Sequence, residues 1–446
     1  MGGGISGLAG AHRLARAGYH VTVLEAGPRL GGKILTTTFA GRPVDEGADA
    51  FLTRLPHAVE LCRQLGLGER LVGPATAEAA LWVGGGLRPL PPGLVLGVPV
   101  ELAPLARSRL LSPWGLVRAA AEPWLPGRPV PGDVSVGRLV RRRYGRQVHE
   151  RLVEPLLGGI NAGPTDQLSV DVAAPALAAA ARSSASLTRA LRGRRPDGTA
   201  PVFAAPAEGM GQLVEALARA LSAQGAQVHL SSPVRAIEPA GSGYRVVTNG
   251  GEDIVAARVL VAVPAFAAAS LVAGLSPAAG ELLGGLRYAS VALVSLAYPA
   301  GAVPARPRGS GFLVPAGQGR LVTACSIFSN KWPEPGGNAT LVLRASVGRD
   351  RDQRALALDD AELAERVDAE LAEAFGLGGG PAAVRVSRWT RSFPQFPPGH
   401  RDRMAEVEAS VAADAPGVAL AGAYLGGVGI ATCIGGAWAA ADRLAG

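Results

Sequence analysis

The chain opens MGGGISGLAG, and Gly2, Gly4 and Gly7 satisfy the pattern G-x-G-x-x-G. In nucleotide-binding folds such glycines follow a buried strand and open a helix, whose free N–H groups receive a pyrophosphate. The pattern alone is weak evidence, and its surroundings decide. From Ser6 the stretch SGLAGAHRLARAG reads as a helix with Leu8, Ala11, Leu14 and Ala15 on its apolar side, closing at Gly18. Residues 19–24, YHVTVL, read as the next strand. Glu25 stands at its end, roughly 20 residues past the glycines, where a carboxylate hydrogen-bonds ribose hydroxyls. A merely flexible glycine-rich segment would not account for that carboxylate.

No strand precedes the glycines. In a doubly wound sheet that strand is central and buried on both faces, so an empty slot would leave its neighbours' ladder groups without partners. The expectation is therefore an apolar run upstream, with Met1 as an internal start. After Glu25 come RLGGK, residues 29–33, and VDEGADAFL, residues 44–52. Gly31 and Gly32 allow close backbone approach to a cofactor, and Arg29 and Lys33 are available to phosphate.

Composition narrows the class. A chain of 446 residues with 48% hydrophobic and only 5% aromatic content is globular and long enough for two or three domains. Lys33 and Lys331 are the only lysines, so arginine carries the net charge of +8, a bias that points to a GC-rich bacterial genome. Acidic partners are implied, and arginine's fork favours a small polycarboxylate. The basic residues match no nucleic-acid-binding pattern, and the dense run RRRYGR at 141–146 reads as a solvated helix face. Cys62, Cys325 and Cys433 are too widely spaced for a metal motif and fit a reducing cytoplasm. Residues 259–280 and 415–441 lack charge, but prolines break the first and glycines the second, so neither reads as a membrane span. Peripheral membrane contact and oligomeric state stay open.

The fold class expected is α/β. A Rossmann-like nucleotide domain of the glutathione-reductase/amine-oxidase type is built from residues 1–75, 201–265 and 386–446. A mixed α+β substrate domain comes from 76–100 and 266–385, and a helical insertion, a candidate membrane-contact or substrate-cleft domain, spans 101–200. Within the insertion, Asp133, Val134 and Ser135 cap one helix running through LVRRRYGRQVHERLVEPLL. Residues 183–200 read as a mobile basic loop. The chain ends with a strand at 418–422, a tight loop at 426–429, and a helix presenting Ile430, Ile434, Ala437, Trp438 and Ala441 on one face.

Several longer motifs are more specific: EPLLGGINAGPTDQLSV at 154–170, APAEGMGQLVEAL at 205–217, KWPE at 331–334, PQFPPGH at 394–400 and LAGAYLGGVGIATCI at 420–434. With these the chain resembles, over nearly its whole length, the oxygen-dependent porphyrinogen oxidases of haem synthesis, flavoproteins related to amine oxidases and phytoene desaturases. The resemblance implies FAD held by Gly2, Gly4, Ile5, Ser6 and Gly7, with Glu25 and Ala26 at the ribose and Arg29, Gly31, Gly32 and Lys33 in the second loop. It implies Gly47, Ala48, Asp49 and Ala50 near the isoalloxazine, the Val234 backbone at adenine, and Trp389 beside the flavin. Val428, Gly429 and Ile430 would lie at the pyrimidine end, and Gly422 belongs to the same cofactor-binding set. A helix starting at Ile430 would there aim its positive end at flavin N1 and O2.

The implied reaction is a repeated hydride transfer from the bridges of a tetrapyrrole, with dioxygen as terminal acceptor. It needs no strong protein base, so no catalytic acid or base is assigned. His400 reads as a hydrogen-bonded structural residue and Cys433 as a packed helix cysteine rather than a covalent flavin link. Coproporphyrinogen III, with four propionates, is the favoured substrate and protoporphyrinogen IX the alternative. AEAAL at 77–81 lacks the arginine that eukaryotic protoporphyrinogen oxidases carry near that position. An amine oxidase, a desaturase or a flavin-free scaffold remain competing readings.

Overall fold

Thr22–Leu24 and Gln227–His229 form a parallel pair, and Val259–Val261 and Val418–Leu420 form another. Thr22–Leu24, Val259–Val261 and Val418–Leu420 are short, largely apolar and largely buried, as strands covered on two faces should be, whereas Gln227–His229 is exposed along its length. The backbone of Met1 and Gly2 bonds to both pairs. Gly2 N–H donates to Leu24 O at 2.8 Å, while Met1 O accepts from Ala262 N–H at 2.9 Å. Among the described residues no strand lies between the two pairs. Helices Ile5–Arg16 and Ile430–Ala445 pack beside each other, and Val234–Ala240, Gly243–Thr248 and Ile254–Ala256 form a three-stranded antiparallel sheet.

The computed structural model describes residues 1–125, 129–192, 201–250, 252–302, 307–333 and 340–446. It divides into two units: Met1–Gly73, Pro201–Arg287 and His400–Gly446 in the first, Pro74–Ala200 and Tyr288–Gly399 in the second. The two charge-free stretches resolve into short elements, the first into strand Val259–Val261 and helices Ala265–Val272 and Pro277–Gly284. No helix among the described residues is long and apolar enough to cross a membrane.

The second unit is organised on a seven-stranded sheet, in the order Ala383–Pro394, Tyr288–Tyr298, Leu341–Val347, Val322–Ile327, Gly311–Leu313, Ala79–Val83, Gly86–Pro89. Every pair is antiparallel except Gly311–Leu313 with Ala79–Val83. Helix Asp360–Phe375 covers it through Leu363, Val367 and Leu371, spaced by four residues so that they share one side. Asp359 caps that helix by accepting the Glu362 N–H at 2.8 Å.

The helical part of this unit departs from the expectation of one long helix. Ser135 does cap Val136–Tyr144, accepting the Arg138 N–H at 3.3 Å, but Gly145 at φ 87° ends it. A short turn, Arg146–Val148, leads into a π-helical stretch, His149–Gly158. Pro155 lies inside that stretch; it has no N–H to donate and its ring crowds the carbonyl four residues back, which wider turns relieve. RRRYGR is also only half solvated. Arg142 and Arg146 are exposed, whereas Arg143 is buried with its guanidinium on Ala185 O, and Arg141 pairs with Asp166 at 2.5 Å. Of residues 183–200, read as a loop, Leu187–Arg192 is a helix and 193–200 fall outside the described residues.

Glu122, only 1% exposed, closes the start of that helix. Its carboxylate accepts from Leu187 N–H at 2.7 Å, Thr188 N–H at 3.2 Å and Ser186 Oγ at 2.7 Å. A Glu122→Gln substitution turns an amide N–H₂ toward donors that need an acceptor. It should destabilise the unit by about 1.5–3 kcal/mol, seen as a lowered thermal midpoint. An unchanged melt would contradict this assignment.

Candidate functional site

The three glycines of the opening pattern have three separate reasons. A Cβ on Gly7 would lie 1.8 Å from Gly2 O, so only glycine lets the first helix pack against the chain that enters it. Gly2 sits at φ 93°, and a Cβ there would be 2.6 Å from Ala262 O. A Cβ on Gly4, by contrast, would meet nothing within 4 Å. Gly4 is the N-cap of Ile5–Arg16 and offers no side-chain cap, so open space lies beside the start of the helix. That space is a cradle a side chain would fill, and it fits a bound phosphate.

Around it the polar groups are fixed. Glu25 accepts from Gly3 N–H at 2.6 Å on one oxygen and from Gly27 N–H at 2.7 Å on the other. Both carboxylate oxygens are thereby aimed, with exposed Ala26 between Glu25 and Gly27. Ser232 N–H donates to Glu25 O at 2.8 Å and Ser231 N–H to Gly27 O at 2.9 Å, which seats the start of strand Val234–Ala240 beside the acid. Gly31 N–H bonds to Gly3 O at 2.8 Å, and a Cβ on Gly32 would come within 3.1 Å of the Gly4 Cα. The second glycine loop is thus docked against the first. Arg29 differs from expectation: its guanidinium donates to the carbonyls of Leu30 at 3.1 Å, Gly32 at 2.7 Å and Ile34 at 3.2 Å. It braces the loop.

The first and last helices run parallel. Ser6 hydrogen-bonds the thiol of Cys433. One turn on, a Cβ on Gly10 would lie 3.6 Å from Ala437 O, and beyond that Arg13 pairs with Asp442 at 2.8 Å. Partners therefore advance together from residues 6, 10 and 13 to 433, 437 and 442. Gly429 caps Ile430–Ala445 at φ −67°, ψ 138°, again without a side-chain cap. Two bare helix N-termini, each carrying about half a positive charge, open on the same end of the pair. Lys33 lies close enough to influence Cys433, and its own ammonium is held below the usual value by the protein around it, partly offset by that thiol.

Burial pushes the Cys433 thiol up to about 11, with the Ser6 hydrogen bond and the Lys33 charge pulling the other way. The thiol stays protonated at neutral pH, as a packed helix cysteine should. Burial raises Cys62 to about 12 and also raises Cys325, and all three cysteines are free. His400 is fully buried and its Nε2 lies 2.6 Å from Tyr424 O, which ties the helix it begins to the turn Ala423–Gly426. Gly422, at φ 149°, starts that turn, where a Cβ would meet the Tyr424 ring at 2.9 Å. Val428 is half-buried, and Gly47, Ala48, Asp49 and Ala50 form the loop before strand Phe51–Leu52. Trp389 belongs to the second unit, on Ala383–Pro394, packed with Ala162, Ala289 and Val291. Among the described residues no group of His, Cys, Asp and Glu could hold a metal ion.

A glycine loop, a carboxylate fixed by two backbone N–H groups and paired helix ends make this the candidate nucleotide site. The chain belongs to the flavin containing amine oxidoreductase family, matching it over residues 5–445, and is a flavin-dependent oxidoreductase. It is 37% identical to the coproporphyrinogen III oxidase of Mycobacterium tuberculosis, over 98% of this chain and 94% of the relative. It is 34% identical to the coproporphyrinogen III oxidase of Bacillus subtilis, over 97% and 94%. A crystal structure from Exiguobacterium sp. superposes with a TM-score of 0.90 at 32% identity, covering 100% of this chain and 97% of that one.

Two substitutions separate the glycine roles. Gly4→Ala should fold with the melting midpoint of the flavin-free protein and purify largely without flavin, whereas Gly7→Ala should lose soluble protein altogether. A yellow, fully loaded Gly4→Ala would contradict the cradle. For the thiols, suppressed ionisation combined with burial predicts no iodoacetamide labelling of native protein at neutral pH and labelling of all three on unfolding. Rapid native labelling of Cys433, read by peptide mass, would contradict its packing.

Proposed function

We propose that this protein oxidises coproporphyrinogen III to coproporphyrin III with bound FAD, dioxygen being the terminal acceptor and hydrogen peroxide the by-product. The observation that carries the reading is similarity over nearly the full length to coproporphyrinogen III oxidases, in a chain whose glycine loop and last helix open on one end. In this reading the N–H groups of Ile5 and Ser6, beside Gly2, Gly4 and Gly7, hold the pyrophosphate. Glu25 and Ala26 take the ribose, the Val234 backbone takes the adenine, and the loop from Arg29 through Gly31, Gly32 and Lys33 backs the phosphates. The segment Gly47, Ala48, Asp49, Ala50 and Trp389 flank the isoalloxazine; Gly422, Val428, Gly429 and Ile430 meet its pyrimidine end.

When bound, the flavin supplies the two-electron acceptor that dioxygen restores. The chain contributes orientation and field. The N-terminus of Ile430–Ala445 stabilises negative charge at its mouth, in a setting preorganised by the fold. No side chain is assigned as proton acceptor, since a pyrrole nitrogen lone pair supplies the push from within the substrate. The protein's part is to hold a flat ring at reacting distance. Coproporphyrinogen is preferred over protoporphyrinogen IX because a net charge of +8 suits four carboxylates and because residues 77–81 carry no arginine. Three free thiols are in keeping with work in the reducing cytoplasm.

The test compares both porphyrinogens with the FAD-loaded protein, following porphyrin fluorescence. Faster turnover of coproporphyrinogen III is expected. Strong preference for protoporphyrinogen IX would overturn the substrate assignment, and inertness toward both would overturn the reaction.

A further inference from the structure

The π-helical stretch His149–Gly158 carries buried polar groups that the proposed reaction does not use. His149 is 5% and Thr165 0% exposed, and the Glu154 side chain is 11% exposed. Arg141 Nη1 lies 3.3 Å from His149 Nδ1. A guanidinium only donates, so Nδ1 must accept and the ring proton sits on Nε2. Nε2–H then donates to Thr165 Oγ1 at 2.7 Å, and the Thr165 hydroxyl donates onward to Glu154 Oε2. The Thr165 backbone N–H donates to the same oxygen at 2.9 Å. Every donor in this chain points one way, from Arg141 to Glu154, and that order holds only while His149 is neutral.

The carboxylate at the end of the chain sits against a loop. A Cβ on Gly158 would come 3.0 Å from Glu154 Oε1, and the Gly163 N–H donates to Gly158 O at 3.1 Å, so residues 158–163 close tightly beside Glu154. Within the loop Ala162 takes a left-handed conformation, φ 48°, which a residue with a Cβ keeps only where its surroundings hold it. Ala162 O accepts the Asp350 N–H at 2.7 Å, Gln395 Nε2 donates to Asn161 O at 3.1 Å, and Ala162 packs with Ala289, Val291 and Trp389. The hydrogen-bond chain therefore backs the segment that packs on Trp389.

Protonation of His149 would place an N–H at Nδ1 opposite Arg141, donor against donor and charge against charge. Burial is the largest influence on the imidazole and pushes it below its usual 6.5. Glu154 and Glu150 on its own stretch and Asp166 beside Thr165 pull the other way, while Arg141 on Val136–Tyr144 pushes with burial. Glu154 Oε2 is 3.8 Å from Nε2, which by itself favours the imidazolium, but burial and Arg141 outweigh it. A native value below the unfolded one means that the unfolded chain takes the proton first. The stabilisation is whole above about pH 6.5 and is lost as pH falls through the native value.

We propose that His149 is a positioning residue: neutral, with its proton on Nε2, it completes the chain from Arg141 through Thr165 to Glu154 that seats residues 158–163 against Trp389, and protonation loosens that seat. The kinetic consequence rests on the proposed place of Trp389 beside the isoalloxazine; the chain itself does not.

The test uses the full-length, FAD-loaded protein. Imidazole NMR of isotope-labelled histidine should show His149 as the Nε2–H tautomer at neutral pH. H149Q offers an amide oxygen to Arg141 and an amide N–H to Thr165 but takes up no proton. Between about pH 7.5 and 5.5 the wild type should lose about fivefold more kcat/KM toward coproporphyrinogen III than H149Q does, the size of one buried hydrogen bond. T165V cuts the chain and should lower kcat/KM about fivefold at neutral pH with flavin content unchanged, whereas T165S should restore it. Amide-exchange protection of residues 158–163 should fall on acidification in the wild type, be low at every pH in T165V, and hold in H149Q. An Nδ1–H tautomer, an acid limb in H149Q as steep as that of the wild type, or wild-type protection and kinetics in T165V would each overturn the proposal. Inertness toward both porphyrinogens would overturn the reaction alone, and the tautomer and the protection of residues 158–163 would still decide the chain.

Discussion

Two parallel helices with bare N-termini at one end are electrostatically awkward: their dipoles lie side by side and their half-charges repel across a short gap. In this protein the arrangement is enforced by close packing: the two helices lie side by side, Gly10 faces Ala437 of the last helix, and a Cβ on Gly10 would be 2.4 Å from the Leu260 side chain. Neither end is capped by a side chain. An anionic group at the mouth converts this repulsion into binding energy, and a flavin dinucleotide offers one at its pyrophosphate and another where its pyrimidine ring takes up electrons. The glycine loops, the aimed Glu25 and the docking of residues 29–33 all follow from keeping that mouth open and shaped.

Much of this was legible because the signals are local. A glycine pattern, an apolar face of period 3.6 and a carboxylate at a fixed distance define a nucleotide unit without reference to the rest of the chain, and Thr22–Leu24, Glu25 and Ile5–Arg16 lie where the spacing puts them. The last helix is similarly written in Ile430, Ile434, Ala437 and Trp438, all at most 7% exposed. Tertiary choices were harder to see. Arg29 looks like a phosphate ligand from its neighbours in sequence, yet three carbonyls of its own loop take its donors. Arg143 sits in a run of like charges that reads as solvated, and only the approach of Ala185 explains its burial.

The helical part of the second unit shows the same limit. The cap at Ser135 is a local signal and was readable; the break at Gly145 and the π-helical turn around Pro155 depend on how the chain resolves a missing donor under packing. The exposure of Trp114 and Trp124 has no sequence signature at all, since tryptophan is ordinarily counted toward a core.

The convergence of the two helix ends on one cofactor is tested most directly by amide hydrogen exchange on the flavin-free protein before and after FAD is added. The account predicts that peptides covering residues 2–8 and 427–433 gain protection together and at the same FAD concentration. Protection of one segment while the other exchanges unchanged would contradict it.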